Sequence, residues 1–104
     1  IHKEKFPDLI LGDADGTSAS PGLIETALST LDHGVYSVSH NYPFKGGYIT
    51  RHYGKPSANQ HALQLEMSKV NYMDDVEKKY DKQRATKMRE LLKRVFEKLI
   101  EQLQ

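Results

Sequence analysis

Eleven residues from Phe44 to Gly54, FKGGYITRHYG, place three glycines beside Lys45, Arg51, His52 and two tyrosines, Tyr48 and Tyr53. Gly46-Gly47 lets the backbone reach positive φ and offers consecutive N–H groups to one point. Such a nest attracts an anion, and Lys45 adds a point charge next to it. The planar guanidinium of Arg51 is a fork that suits a carboxylate through paired hydrogen bonds. Together these residues fit a small dicarboxylate. A plainer reading competes, because two glycines also make an ordinary turn with Lys45 and Arg51 solvated.

Glu66 is the second candidate. It stands in ALQLEM, Ala62 to Met67, where Gln64 and Glu66 interrupt an apolar run. That alternation predicts a strand with one polar face. In α/β sheets functional groups gather at the carboxyl ends of strands, and a carboxylate there can serve as general base or acid. The competing reading simply leaves Gln64 and Glu66 facing water.

Other polar clusters carry less. Asp13, Asp15 and Gly16 look like the start of a calcium loop, but the twelfth position counted from Asp13 is Ile24 and not the required Glu. Asp13, Asp15, Thr17 and Ser18 remain as residues that line a cleft or cap their own turn. The five histidines, His2, His33, His40, His52 and His61, fall at none of the usual metal-ligand spacings. His52 stands out for its place beside Arg51.

These residues need elements to hold them. DLILG, residues 8–12, reads as a buried strand feeding the loop from Gly12 to Gly22. Ser20 before Pro21 suits an N-cap and first helical residue. Leu23, Ile24, Ala27, Leu28 and Leu31 then repeat at helical spacing, and Gly34 closes the helix. Val35 to Asn41 alternates like a half-buried or edge strand. From residue 81 to 104 the chain predicts one long terminal helix. Met88, Leu91, Leu92, Val95, Phe96, Leu99, Ile100 and Leu103 form a single stripe on it, suited to covering a sheet, with a coiled coil as the alternative. The order strand, helix, strand, strand, helix predicts an α/β sheet packed by helices.

Composition bounds the possibilities. The chain has 104 residues, 38% hydrophobic and 28% charged, with a formal charge of +1 and no cysteine. This is ordinary globular composition for one small domain. The near-neutral charge gives nucleic-acid and membrane-surface partners no support. The missing cysteines remove disulfides, thiolate zinc sites and a cysteine nucleophile. No apolar run approaches the roughly 20 residues of a membrane span, and no signal-peptide pattern stands at the start. Cytoplasmic location is the expectation. The opening at Ile1 without Met, with only three predicted strands, suggests a single partial domain over residues 1–104 of a longer protein.

LGDADGTSA, FKGGYITRHYGKP, HALQLEMS and YMDD, in that order, resemble the C-terminal portion of the N-formylglutamate amidohydrolase (deformylase) family, from about Asp8 to Asp75. The resemblance implies a mixed-sheet α/β fold of the zinc carboxypeptidase and aspartoacylase kind. It implies hydrolysis of the formyl amide of N-formylglutamate by zinc-activated water, giving glutamate and formate, as in histidine degradation. It makes Glu66 the general acid/base and has Arg51 and Lys45, with Gly46 and Gly47, hold the glutamate carboxylates. His52, Tyr48 and Asn41 join that pocket. The zinc ligands of the family are expected in PHSG-like and DCHS-like segments, and neither occurs in this chain. By itself the chain is then expected to be inactive. The alternative is a non-catalytic module that binds small anions. A partial sheet also predicts self-association through an exposed edge.

Overall fold

The structure, a computed structural model, describes residues 7–73 and 79–104. Asp74 and Asp75 of the YMDD segment lie outside the described residues. Strand β1 spans Leu9–Gly12, helix α1 Pro21–Asp32, strand β2 Val38–His40, helix α2 Tyr48–Tyr53, strand β3 Gln64–Met67 and helix α3 Lys82–Leu103. Short 3-10 turns lie at Pro56–Ala58 and Lys69–Asn71.

The three strands form one mixed sheet in the order β2-β1-β3. Strand β1 is parallel to β2 and antiparallel to β3. All four residues of β1 are buried, as its unbroken LILG run requires of a central strand. Helix α1 is the crossover that parallel pairing of β1 and β2 demands.

Cross-strand partners share a face, so the register sorts the side chains. Leu9 and Leu11, opposite Met67 and Leu65, point toward the helices. There they meet Ala27 and Leu31 of α1 and Met88, Leu91 and Val95 of α3 in one core. Ile10 opposite Glu66, and Gly12 opposite Gln64, point the other way. That second face carries no helix of the core.

Local chemistry fixes the ends of the helices. Ser20 occupies the N-cap of α1 in extended conformation, but its side chain makes no cap hydrogen bond. Pro21 at the first position supplies the preset φ instead. The N–H of Gly34 closes the helix on the Leu31 carbonyl at 3.2 Å. Asp81 caps α3 by accepting from the Arg84 N–H at 3.0 Å. The Arg84 guanidinium reaches back to the carbonyls of Val70 and Met73, which ties the start of α3 to the chain after β3.

Two predicted strands shrink. The one expected over residues 62–67 is only Gln64–Met67. The strand expected over Val35–Asn41 is only Val38–His40, and Val35 is exposed. Ser37 is the cause, because its backbone and hydroxyl engage the Asp8 carboxylate before β2 begins. On α3 the apolar stripe is only partly covered. Met88, Leu91 and Val95 are buried, whereas Phe96, Ile100 and Leu103 are more than half exposed. The three-stranded sheet is too narrow to cover a helix of 22 residues along its whole length. Among the described residues no helix is long and apolar enough to cross a membrane.

Candidate active site

The stretch expected as a glycine loop is a turn followed by a helix. Gly46 adopts φ +107°, the left-handed conformation that the Gly-Gly pair predicted. Gly47 is extended and becomes the N-cap of α2, so Tyr48, Arg51 and His52 stand on a six-residue helix. Helical geometry brings Tyr48 and His52 together at one turn's spacing. Their rings stack with centroids 4.8 Å apart. Thr50, fully buried, anchors the helix by donating to the Gly47 carbonyl at 2.8 Å.

The turn lies hard against the end of β1. A Cβ on Gly12 would sit 2.7 Å from the backbone nitrogen of Gly46 and from the carbonyl carbon of Lys45. Only glycine permits that approach. The contact is reinforced by the Ala14 N–H, which donates to the Lys45 carbonyl at 2.8 Å.

Asp13 fastens the ends of β1 and β2. Its carboxylate is fully buried and accepts from the Gly16 N–H at 2.7 Å and from Asn41 Nδ2 at 2.6 Å. It also meets His40 Nε2. Asn41 returns the bond through Oδ1, which accepts the Asp13 N–H at 2.9 Å. Burial alone pushes the Asp13 carboxyl up. The hydrogen bonds from Asn41, His40 and Gly16 and the attraction of His40 outweigh burial and hold it below its ordinary value. Asn41 is itself held in left-handed conformation, at φ 58°, where the chain leaves β2 for the turn.

Glu66 is half-buried on the face opposite the core. It lines a cavity of about 180 Å³ with Ile10, Phe44, Met67 and Ser68. It stands near the carboxyl end of its own strand, but that end is not the one beside the carboxyl ends of β1 and β2. Strand β3 runs antiparallel, so Gln64, not Glu66, lies opposite Gly12, where β1 and β2 end.

Gln64 connects the two candidate regions. Its Oε1 accepts the Gly47 N–H at 2.7 Å, and its Nε2 donates to Glu66 Oε1 at 3.1 Å. One of the two N–H groups expected to form an open anion nest is therefore already engaged. Lys45, also expected at an anion, pairs at the surface with Asp15 at 2.8 Å. The hydrogen bond and charge of Asp15 raise the Lys45 ammonium above its ordinary value. Arg51 and His52 are exposed, and Arg51 makes no ion pair among the described residues. The structure thus joins Gly47 to Glu66, and Asn41 to Asp13 and His40. The Arg51 side chain joins neither network.

Comparison with known proteins decides the family. The family model for N-formylglutamate amidohydrolase matches residues 1–73. The chain belongs to the N-formylglutamate amidohydrolase family. Within that family it is 43% identical over 74 residues to the N-formylglutamate deformylase of Pseudomonas putida, covering 70% of this chain and 28% of that protein. It is 42% identical over 73 residues to the N-formylglutamate deformylase of Pseudomonas aeruginosa strain PAO1, covering 68% of this chain and 27% of that protein. The chain therefore spans less than a third of the curated relatives it matches. The crystal structure of N-formylglutamate amidohydrolase from Ralstonia eutropha JMP134 matches 95% of this chain and 35% of its own, at a TM-score of 0.76 and 30% identity. The mixed three-stranded sheet with its helices is thus similar to part of that N-formylglutamate amidohydrolase structure.

Two residues make more contacts in the candidate site than the sequence suggests. Gln64 was visible only as a polar residue two positions before Glu66, on the same face of a strand. His40 was one of several isolated histidines, because its partner Asp13 lies 27 residues away.

Proposed function

We propose that this chain supplies the proton-transferring carboxylate and the substrate-holding turn of a hydrolase that cleaves N-formylglutamate to formate and glutamate. The observation that carries the reading is Glu66. It is a half-buried carboxylate on the uncovered sheet face, lining a cavity and held by a hydrogen bond. Its neighbours belong to a chain whose relatives are named for this reaction.

In the proposed reaction water attacks the formyl carbon, and Glu66 accepts the proton that the water gives up. The same carboxyl then returns a proton to the amide nitrogen as the C–N bond breaks. Arg51 takes a glutamate carboxylate through its exposed guanidinium. Lys45 contributes by exchanging its surface pairing with Asp15 for the substrate's second carboxylate. Gly46 and Gly47 shape the turn, and His52, Tyr48 and Asn41 complete the pocket.

Zinc is the metal that the resemblance implies. Among the described residues no group of three or more His, Cys, Asp or Glu is placed to hold a metal ion. The residues described do not fit a zinc site, and no step is assigned to one. Under this proposal the metal ligands, and the remainder of a zinc carboxypeptidase-like sheet, belong to sequence beyond this chain. The cytoplasm is the proposed location.

The share of the curated relatives that the chain spans favours one further reading, a non-catalytic module that binds small anions at the same turn. The two readings part on turnover. Formate release from N-formylglutamate by the complete protein that carries this chain supports the hydrolase. Glutamate binding without formate release supports the module.

The apolar surface left along α3 supports self-association as well. Leu63, Leu65, Met67, Leu92, Phe96 and Leu99 line a groove of about 260 Å³ beside the β3 edge. Light scattering of the isolated chain is expected to give a mass above the monomer's 11.9 kDa at micromolar concentration. A clean monomer contradicts this.

A further inference from the structure

We infer that Gln64 is a positioning residue that locks the Glu66 carboxylate to the N-terminus of α2, so that the proton carrier and the substrate-holding helix move as one unit. The inference rests on the reading of Glu66 as the acid/base.

The orientation of the Gln64 amide follows from its neighbour. A backbone N–H only donates, so the atom 2.7 Å from the Gly47 nitrogen must be the amide oxygen. That leaves the NH2 group facing Glu66, where it donates to Oε1 at 3.1 Å. The two contacts use opposite ends of one rigid planar group. Gln64 cannot turn over without setting a donor against a donor at Gly47.

Register gives the pair its reach. Gln64 and Glu66 stand two residues apart, on the same face of β3, opposite Gly12 and Ile10. Gly47 is 17 residues earlier and caps the helix that carries Tyr48, Arg51 and His52. No other hydrogen-bond partner of Glu66 exists among the described residues. Without Gln64 the carboxylate is free to change rotamer within its cavity. Displacement of a reacting group by about 1 Å can cost on the order of 10²-fold in rate.

The test uses the complete protein that carries this chain, with N-formylglutamate as substrate. Gln64→Glu keeps an acceptor for the Gly47 N–H but sets a second carboxylate against Glu66. Gln64→Leu removes both bonds. Both variants are expected to lose about tenfold or more in kcat. Gly47 amide exchange should remain slow in Gln64→Glu and accelerate in Gln64→Leu. In a Glu66→Gln background, Gln64→Leu should cost little more, because it acts through Glu66. A structural role alone predicts an unaffected Gln64→Glu, and an equal loss for Gln64→Leu in both backgrounds. Either result overturns the inference. Near-normal turnover by Glu66→Gln overturns the acid/base reading and this inference with it. A crippled Glu66→Gln beside an unaffected Gln64→Glu overturns this inference alone.

Discussion

Gln64 donates its side-chain amide to Glu66 at 3.1 Å from two residues earlier on the same strand face. That face is therefore not simply solvated polar surface. It is one end of a hydrogen-bonded chain that continues through Gly47 into α2. Under the proposed function this chain of bonds holds the Glu66 carboxylate ready for proton transfer.

Arg51 is the residue on which substrate affinity should depend. It is exposed on α2 and makes no ion pair among the described residues. Arg51→Ala in the complete protein should raise KM for N-formylglutamate by about tenfold or more, since hydrogen bonds to charged groups contribute roughly 1.5–3 kcal/mol. Arg51→Lys should recover only part of this, because a lysine cannot grip a carboxylate in paired fashion. Steady-state kinetics with kcat nearly unchanged is the expected pattern.

Asp13 should contribute to stability in a pH-dependent way. Asp13→Ala strands the Asn41 amide and the Gly16 N–H in a buried site and should cost about 3 kcal/mol in urea unfolding. The folded Asp13 value lies below the ordinary 3.8. Its ionic contribution is therefore whole above that pH and fades as pH falls through the folded value. Unfolding midpoints measured downward from neutral pH should show this acid loss in the native protein. In Asp13→Asn that part of the loss should be missing.

Gly12 sets the distance between the sheet and the turn at residues 45–47. Gly12→Ala forces its Cβ within 2.7 Å of the Gly46 backbone. Backbone displaced by overpacking costs about 1–3 kcal/mol, so the melting temperature should fall. Activity should fall further than stability alone explains, because the turn that moves begins the path to Arg51. A Gly12→Ala variant with native melting and kinetics contradicts this account of the close approach.

Much of this was legible in the sequence, for identifiable reasons. LILG is an unbroken apolar run and the stripe on α3 a regular one, and β1 and α3 appear where they predict. FKGGYITRHYG was harder. The glycines do mark a left-handed turn at Gly46, but Tyr48–Tyr53 is too short for helical periodicity to show. Glu66 was identifiable as a carboxylate in an apolar strand. Its antiparallel setting was not, because pairing direction is decided by β1, more than 50 residues earlier. The Asp13–His40 and Gly47–Gln64 contacts join residues 27 and 17 apart, and no local pattern marks them.

Everything proposed for this site depends on Glu66 carrying the proton in hydrolysis of N-formylglutamate. The most direct measurement is formate release by the complete protein with and without Glu66→Gln. The substitution keeps the shape of the side chain and removes its basicity. A proton-carrying Glu66 should leave the variant with a kcat lower by about 10²-fold or more, with melting temperature and KM close to native. Turnover within a few-fold of the native protein would contradict it.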